Sequence, residues 1–182
     1  MTARLLLVRH CASSGQHAEA PLSDAGRAQA EALARRLAVL PIDFALSSPY
    51  LRAQQTLAPF TERAGLPLHL DARWMERRLS PEPIDHWREV VARSFVDPDF
   101  RVPDGESGRE VLERGRAALD AVFARGCDLP VVASHGQLIS LLLHHIDPSF
   151  GFASWESLAN PDVFELERNG SGALSFRRLA TA

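Results

Sequence analysis

Three short apolar runs predict buried β-strands at residues 5–8, 44–46 and 131–133. Each run is continuous rather than alternating with polar residues, which is typical of a strand that is covered on both faces of its sheet. Helical patterns lie between the runs, and the pair Asn169-Gly170 predicts a hairpin between two further strands. Strands that alternate with helices predict an α/β fold in three layers, in which helices flank a central, mostly parallel sheet.

The helical segments contain residues that typically start or stop a helix. Ser23 precedes a segment rich in Ala, Leu, Arg and Glu, and it is the predicted N-cap of a first helix. Ser48 is the predicted cap of a second helix, which Pro59 is expected to kink or end. The spacing of Ser107 and Glu110 predicts a capping box at the start of another helix.

Composition narrows the class of protein further. A chain of 182 residues, 46% of them hydrophobic, predicts one domain over residues 1–182 with a sizeable core. The net charge of -3 offers no broad basic surface, so nucleic acid and anionic membranes are not expected partners. Cys11 and Cys127 lie far apart, which argues against a disulfide framework or a structural zinc site. The first apolar run is too short for a signal peptide or a membrane span, so we expect a cytoplasmic protein.

Polar residues follow each of the three predicted strands. Arg9 and His10 end the first strand, Arg52 lies in the first turn of the helix after the second, and His135 follows the third. On its own, the Arg9-His10 pair is more simply explained as a strand end that reaches water. Because the carboxyl ends of parallel strands lie at one edge of a sheet, the three segments together predict a shared pocket.

Such a pocket suits a phosphate group. Helix N-termini and arginines both favour oxyanions, and one arginine can bind a phosphate through two N–H groups at once. A phosphomonoester carries about 1.5–2 negative charges near neutral pH, which two guanidinium groups balance. A neutral imidazole is a competent nucleophile, so one histidine can accept the phosphoryl group while the other binds its oxygens. This chemistry requires no metal ion and no cofactor, and we expect neither.

Six segments of the sequence resemble, in the same order, the signatures of the histidine phosphatase (phosphoglycerate-mutase-like) superfamily: LVRHC, PLSDAGRAQAEALA, SSPYLRAQQT, DARWMER, DGESGREVLER and VVASHGQ. The resemblance extends over residues 5–163. SSPYLRAQQT is the most specific of the six, because it matches the family's Ser-x-x-x-Arg-Ala-x-Gln-Thr. The resemblance implies a phosphoglycerate-mutase-like fold and an enzyme that forms a phosphohistidine.

The resemblance also implies a role for each matching position. His10 corresponds to the phosphorylated nucleophile, and Arg9 and Arg52 correspond to the residues that clamp the phosphoryl oxygens. His135 corresponds to the second imidazole of the pocket, which is both catalytic and phosphate-binding. The alternatives are that Arg52 is a surface helix residue and that His135 only bonds to the backbone at a helix end.

Three further positions match the family pattern less closely. Ser13 and Gln16 lie where the family adds polar contacts to the phosphate, although hydrogen bonds within a loop explain both side chains equally well. Glu76 corresponds to the acid that protonates the leaving oxygen, a role worth ~10²–10⁴-fold in rate. The alternative for Glu76 is a solvated acid, or one in a salt bridge with the nearby Arg73, Arg77 or Arg78.

The sequence also departs from the family pattern. Cys11 and Ala12 stand where the family has Gly and Glu, Gln16 replaces an Asn, and the usual Trp-Glu-Gly pattern is missing after Glu76. The chain is short for a phosphoglycerate mutase, whose longer insertions help to hold the sugar acid. These features favour a phosphatase that acts on a small phosphorylated metabolite. A phosphoglycerate-type mutase and a non-catalytic protein that binds a phosphorylated ligand are the alternatives, and the sequence predicts no oligomeric state.

Overall fold

The structure, a computed structural model, describes residues 2–179 and contains within them a six-stranded sheet. Its strands are β1 (Ala3–Arg9), β2 (Phe44–Ser47), β3 (Leu68–Leu70), β4 (Pro130–Ser134), β5 (Asp162–Arg168) and β6 (Leu174–Leu179). The helices are α1 (Asp24–Leu37), α2 (Leu51–Ala64), α3 (Trp87–Ser94), α4 (Gly108–Phe123), α5 (Gly136–Ile146) and α6 (Phe152–Glu156), with a 3₁₀ turn at Ala72–Trp74. Among the described residues, no helix has the length and apolarity needed to cross a membrane.

The sheet has the strand order β3-β2-β4-β1-β5-β6. The first four of these strands run parallel, while β5 runs antiparallel to β1 and β6 runs antiparallel to β5. The prediction of a central, mostly parallel sheet flanked by helices is therefore confirmed, as is the hairpin whose turn contains Asn169 and Gly170. The parallel arrangement brings the carboxyl ends of β1, β2 and β4 to one edge of the sheet.

Side chains of β1 alternate between two hydrophobic clusters, one on each face of the sheet. Leu5 and Leu7 pack in the cluster that contains α4 and α5, and Leu6 and Val8 pack in the cluster that contains α1 and α2. All four are buried, and complete burial of a side chain of this size stabilises a fold by about 1.5–3 kcal/mol. The interior strand β1 therefore gives a fixed position to the polar residues at its carboxyl end.

Two of the predicted helix signals act differently in the structure. Ser48 is not a helix cap, because α2 begins only at Leu51 and the Ser48 hydroxyl contacts His135 instead. Pro59 does not end α2, since the burial of Phe60 in the core continues the helix beyond it. The predicted N-cap of α1 and the predicted capping box of α4 are both confirmed.

Candidate active site

Backbone hydrogen bonds join the carboxyl ends of β1, β2 and β4. The amide of His10 donates to the carbonyl oxygen of Ser134 at 3.0 Å, and the amide of Ser48 donates to that of Ala133 at 2.9 Å. With the strand ends joined in this way, the ring centroids of His10 and His135 lie 5.2 Å apart. Side chains from distant parts of the sequence therefore meet at one site on this edge of the sheet.

The imidazole of His10 is buried and neutral, and the whole residue is only 6% exposed. Its Nδ1 lies 2.7 Å from the carbonyl oxygen of Cys11, and its Nε2 accepts a hydrogen bond from Nε of Arg52 at 3.1 Å. These contacts assign the ring hydrogen to Nδ1 and leave a lone pair on Nε2. Burial lowers the pKa of His10 to about 4, so the ring carries no charge at neutral pH.

The guanidinium of Arg52 is fixed beside His10. The residue is only 1% exposed, and its Nη1 group donates to the carbonyl oxygens of Gln16 and His17, both at 3.0 Å. It also lies 4.9 Å from the centre of the Tyr50 ring, a distance at which a cation and an aromatic ring attract each other. Burial lowers the pKa of Arg52, but an arginine stays protonated in proteins, so a permanent positive charge faces the imidazole.

Arg9 supplies a second positive charge at the same edge of the sheet. Its Nη1 group donates to the carbonyl oxygens of Leu158 at 2.8 Å and Ala159 at 3.3 Å. Its Nε–H is buried and has no hydrogen-bond partner among residues 2–179. Burial lowers the pKa of Arg9, and the charges of Glu76 and Asp162 oppose that shift. A buried N–H without a partner is costly, so this donor is suited to an anionic ligand.

His135 is completely buried. The Ser48 hydroxyl accepts from the amide of Tyr50 at 3.2 Å and forms a second hydrogen bond with Nε2 of His135 at 2.8 Å, in which the donor is set by the tautomer of the ring. Nδ1 of His135 has no partner in the described part of the chain. Burial first, and then the charge of Arg52, hold the pKa of His135 well below its usual value. The ring is therefore neutral, and its Nδ1 is the atom that a ligand can contact.

Glu76 binds the first turn of α5 with its carboxylate. One oxygen accepts from the amides of Arg77 at 2.9 Å and Leu138 at 3.2 Å, and the other accepts from the amide of Gln137 at 3.1 Å. The exposed N–H groups and the dipole at a helix N-terminus favour a negative charge there. Its charge also acts on both arginines of the site. Within residues 2–179 the hydrogen-bond partners of the Glu76 carboxylate are backbone amides, so a salt bridge to a nearby arginine does not account for its position.

Ser13 and Gln16 lie in the loop after β1 and shape that loop. The Ser13 hydroxyl donates to the carbonyl oxygen of Gly15 at 2.9 Å. Gln16 is exposed, and its backbone carbonyl rather than its side chain contacts Arg52. Direct contact of these two side chains with a phosphate stays a prediction.

The structure adds residues that the sequence analysis did not place in the site. The hydroxyl of Ser48 contacts His135, and the Tyr50 ring centre lies 5.0 Å from that of the same histidine. Nδ2 of Asn160 donates to the carbonyl oxygen of His10 at 2.6 Å. Ser48 and Tyr50 belong to the SSPYLRAQQT segment, so that motif contained a signal for them. Nothing in the sequence around Asn160 points to the site.

Cys11 is explained by packing rather than by reactivity. It is fully buried, and burial raises the pKa of its thiol to about 11. A protonated thiol is a poor nucleophile. The Cys11 amide donates to Oγ1 of Thr56 at 2.9 Å, and the Thr56 hydroxyl donates to the carbonyl oxygen of Arg52 at 2.8 Å. Thr56 therefore ties the loop after β1 to the first turns of α2.

The charges of the site favour a bound oxyanion. Arg9 and Arg52 carry permanent positive charges, His10 and His135 are neutral, and the carboxylate of Glu76 lies to one side. A phosphate that binds between the two guanidinium groups would meet the lone pair on Nε2 of His10 and the Nδ1 atom of His135, which has no partner among the described residues. Over the described residues, no group of three or more His, Cys, Asp or Glu side chains is placed to hold a metal ion.

Burial of the neutral histidines predicts that acid destabilises the fold. The pKa of His10 is about 4 in the folded protein and about 6.5 in an unfolded chain, so between these values the unfolded state binds more protons. The contribution of His10 to the free energy of unfolding is complete above pH 6.5 and is lost as the pH falls to 4, by about 3 kcal/mol. Urea unfolding of the wild type and of His10→Asn from pH 7 to pH 4 measures this. We expect the variant to lose less stability, and equal losses would contradict the prediction.

Comparison with known proteins identifies the family. The sequence pattern of the histidine phosphatase superfamily (branch 1) matches residues 5–175. A curated relative from Cronobacter sakazakii, named "Probable phosphoglycerate mutase GpmB", is 33% identical over 144 residues, which cover 70% of this chain and 64% of the relative. This chain therefore spans less than two thirds of the length of that relative.

Solved structures share the fold over almost their whole length. A mycobacterial glucosyl-3-phosphoglycerate phosphatase superposes with a TM-score of 0.79 at 24% identity, over 98% of this chain and 97% of that one. YhfR of Bacillus stearothermophilus superposes with a TM-score of 0.80 at 19% identity, over 98% of each chain. These likenesses show a phosphoglycerate-mutase-like fold, and the sequence match shows the family. The chain belongs to the histidine phosphatase superfamily, branch 1.

Proposed function

We propose that this protein is a phosphomonoesterase that acts on a small phosphorylated metabolite and forms a phosphohistidine on Nε2 of His10. One observation carries the proposal: the unprotonated Nε2 of a buried, neutral ring lies 3.1 Å from the permanent positive charge of Arg52. A phosphoryl group at this point meets a nucleophile and a cation together. The family match and the phosphatase activity named for the mycobacterial structure support the same reaction.

In the first step, Nε2 of His10 attacks the phosphorus atom while the bond from phosphorus to the leaving oxygen breaks. The Nε–H of Arg52 transfers its hydrogen bond from His10 to a phosphoryl oxygen. The unpartnered Nε–H of Arg9 and the Nδ1 of His135, in the tautomer that carries its hydrogen there, bind the other oxygens. Phosphoryl transfer depends mainly on such positioning and charge stabilisation. Glu76, in its protonated form, gives its proton to the leaving oxygen, which departs as an alcohol.

In the second step, a water molecule attacks the phosphorus atom of the phosphohistidine. The bond from phosphorus to Nε2 of His10 breaks, and inorganic phosphate leaves the neutral ring. Glu76 acts as the base that takes the proton of the water, and this proton is available for the next leaving group.

A mutase is the second candidate, because the Cronobacter relative at 33% identity bears that name. A mutase returns the phosphoryl group from the histidine to another hydroxyl of its substrate, whereas a phosphatase gives it to water. The two reactions share the first step and differ only in the acceptor.

Product analysis tests the proposal. The protein is incubated separately with an aryl phosphate, glycerol phosphate and phosphoglycerate, and the products are identified by phosphorus NMR. We expect net release of inorganic phosphate and no isomerised phosphoglycerate. Isomerisation without release would establish the mutase, and binding of inorganic phosphate with neither reaction would establish a non-catalytic protein.

Replacement of Glu76 by glutamine is expected to affect substrates according to their leaving groups. Turnover of glycerol phosphate, whose alkoxide needs a proton in order to leave, should fall by ~10²–10⁴-fold. Turnover of an aryl phosphate should fall less, because a phenolate leaves without full protonation. Rates of the two substrates measured with the wild type and with Glu76→Gln give the comparison.

The exposed Glu82 offers a matched control, since Glu82→Gln removes the same charge from the same region of the chain. That variant should turn over both substrates at the rate of the wild type. An equal loss on both substrates in Glu76→Gln would contradict the role of Glu76 as the acid.

A further inference from the structure

Two arginines that are adjacent in β6 each pair with a buried carboxylate on β5. Arg178 pairs with Asp162, whose side chain is fully buried, and Arg177 pairs with Glu165, whose side chain is 5% exposed. Arg177 lies directly opposite its partner in the strand ladder, whereas Arg178 lies opposite Phe164 and reaches its partner diagonally. Because adjacent strand residues point to opposite faces, the two ion pairs lie on different faces of the sheet.

Asp162 connects its ion pair to residues 157–160, the segment that we call the 157–160 loop. Its carboxylate accepts from Nε of Arg178 at 2.9 Å and from the amide of Ala159 at 3.0 Å. The Nη2 group of Arg178 also donates to the carbonyl oxygen of Ser157 at 2.9 Å. Two sets of hydrogen bonds therefore hold the 157–160 loop against β6. Arg178 donates directly to Ser157, and the Asp162 carboxylate bridges Arg178 and Ala159.

The same loop contacts both residues at the carboxyl end of β1. The carbonyl oxygens of Leu158 and Ala159 accept from Nη1 of Arg9 at 2.8 and 3.3 Å. The side-chain amide of Asn160 donates to the carbonyl oxygen of His10 at 2.6 Å. The orientation of the Arg9 guanidinium and the position of the His10 backbone thus depend on where this loop lies.

We infer that Arg178 is a positioning residue for the phosphate site, acting through Asp162 and the 157–160 loop on Arg9 and His10. Its effect on turnover rests on the proposed function, while its effect on the binding of inorganic phosphate does not. Binding of a phosphate through two N–H groups requires the planar guanidinium to keep its orientation. Without the hydrogen bonds of Arg178 to Ser157 and Asp162, the 157–160 loop moves. The Nε–H of Arg9, which has no partner among the described residues, then turns away from the phosphate.

Arg177 provides a matched control within the same strand. It is the neighbour of Arg178 in sequence and also pairs with a buried carboxylate of β5. That carboxylate, of Glu165, has Arg4 as a second partner at 3.2 Å. Among the described residues, the side chain of Glu165 bonds to Arg4 and Arg177 and not to the 157–160 loop. Removal of Arg177 therefore perturbs the edge of the sheet without releasing that loop.

The experiment measures the affinity for inorganic phosphate by titration calorimetry, together with kcat and KM for an aryl phosphate. We expect Arg178→Ala to weaken phosphate binding by about tenfold or more, the effect of one charge-assisted hydrogen bond that is lost. Arg177→Ala should change it by less than about twofold, because Glu165 keeps Arg4 as a partner and the lost guanidinium is itself mostly exposed. Thermal unfolding of each variant fixes a temperature at which all of them are folded.

Two further variants keep the test open if Arg178→Ala does not fold. Arg178→Lys keeps a positive charge beside Asp162 but cannot also reach Ser157 with the same geometry, so its phosphate affinity should lie between those of the wild type and the alanine variant. Asn160→Ala removes only the hydrogen bond to His10. It should lower kcat more than it raises KM, because it displaces the nucleophile rather than the phosphate ligands.

The outcomes distinguish the positioning role of Arg178 from the proposed phosphatase function. Equal loss of phosphate affinity in Arg177→Ala and Arg178→Ala, or unchanged affinity in Arg178→Lys, would overturn the inference and leave Arg178 with a purely structural role. A wild type that binds phosphate tenfold better than Arg178→Ala but hydrolyses no phosphomonoester would support the inference and overturn the proposed function. Loss of both affinity and turnover in Arg178→Ala alone supports both.

Discussion

Replacement of His10 by alanine is expected to lower the turnover of phosphomonoesters by more than about 10⁴-fold, the order of loss when an enzyme loses its covalent nucleophile. Nε2 of His10 accepts directly from Nε of Arg52, whereas Nε2 of His135 is bonded to the Ser48 hydroxyl. Release of inorganic phosphate from an aryl phosphate by the wild type and by His10→Ala measures the loss.

The control for this variant is His86→Ala, since His86 is exposed and its side chain makes no cap contact at the start of α3. His86→Ala should hydrolyse the aryl phosphate as the wild type does. Turnover in His10→Ala within about tenfold of the wild type would mean that water attacks the substrate directly and that His10 is not the covalent nucleophile.

Replacement of Arg52 by alanine is expected to lower kcat/KM by about 10²–10³-fold, the usual effect of removing a preorganised donor to a developing negative charge. The loss is large because this guanidinium is 1% exposed and lies 3.1 Å from the nucleophilic nitrogen. The carbonyl oxygens of Gln16 and His17 also lose their donor, so the loop after β1 is released at the same time.

The lysine variant separates charge from geometry at this position. Arg52→Lys restores a positive charge, but one ammonium group cannot reproduce the planar fork that serves both the imidazole and the loop carbonyls. We expect the kcat/KM of Arg52→Lys to exceed that of Arg52→Ala by less than about tenfold. Steady-state kinetics of the three proteins measure this, and a lysine variant as active as the wild type would show that charge alone suffices.

The strand ends could be predicted because simple physical rules govern them. A continuous apolar run such as residues 5–8 needs cover on both faces, and helices that alternate with such strands make the sheet parallel. Parallel strands place their carboxyl ends together, which is why Arg9, His10 and His135 could be expected at one edge from their positions alone. The observed centroid distance of 5.2 Å between the two imidazoles agrees with that expectation.

Other features depend on contacts that no local pattern encodes. Strand β3 has three residues and is largely exposed, so it gives no apolar run. Ser48 has the sequence position of a helix cap, but its hydroxyl binds the completely buried His135, a partner supplied by a different strand end. Asn160 contacts His10 from the loop before β5, and Arg178 of β6 contacts Ser157 in the same loop. The sequence predicted only a hairpin in this part of the chain.

The surroundings of Glu76 became known only from the structure. The family pattern implied an acid at this position but did not say what surrounds it. The structure places its carboxylate on the amides of Gln137 and Leu138, at the start of the helix that follows His135. The segment with Glu76 and the segment with His135 are therefore fixed to each other, a relation that residue spacing along the chain cannot reveal.

Rapid chemical quenching tests the central claim most directly. The wild type is mixed with a phosphorus-labelled aryl phosphate, quenched within the first turnover, and examined for acid-labile, base-stable phosphate by mass spectrometry of its peptides. We predict one label, on Nε2 of His10, which forms before inorganic phosphate appears and is absent from His10→Ala. Release of inorganic phosphate with no labelled protein at any time, or a label on another residue, would contradict the account.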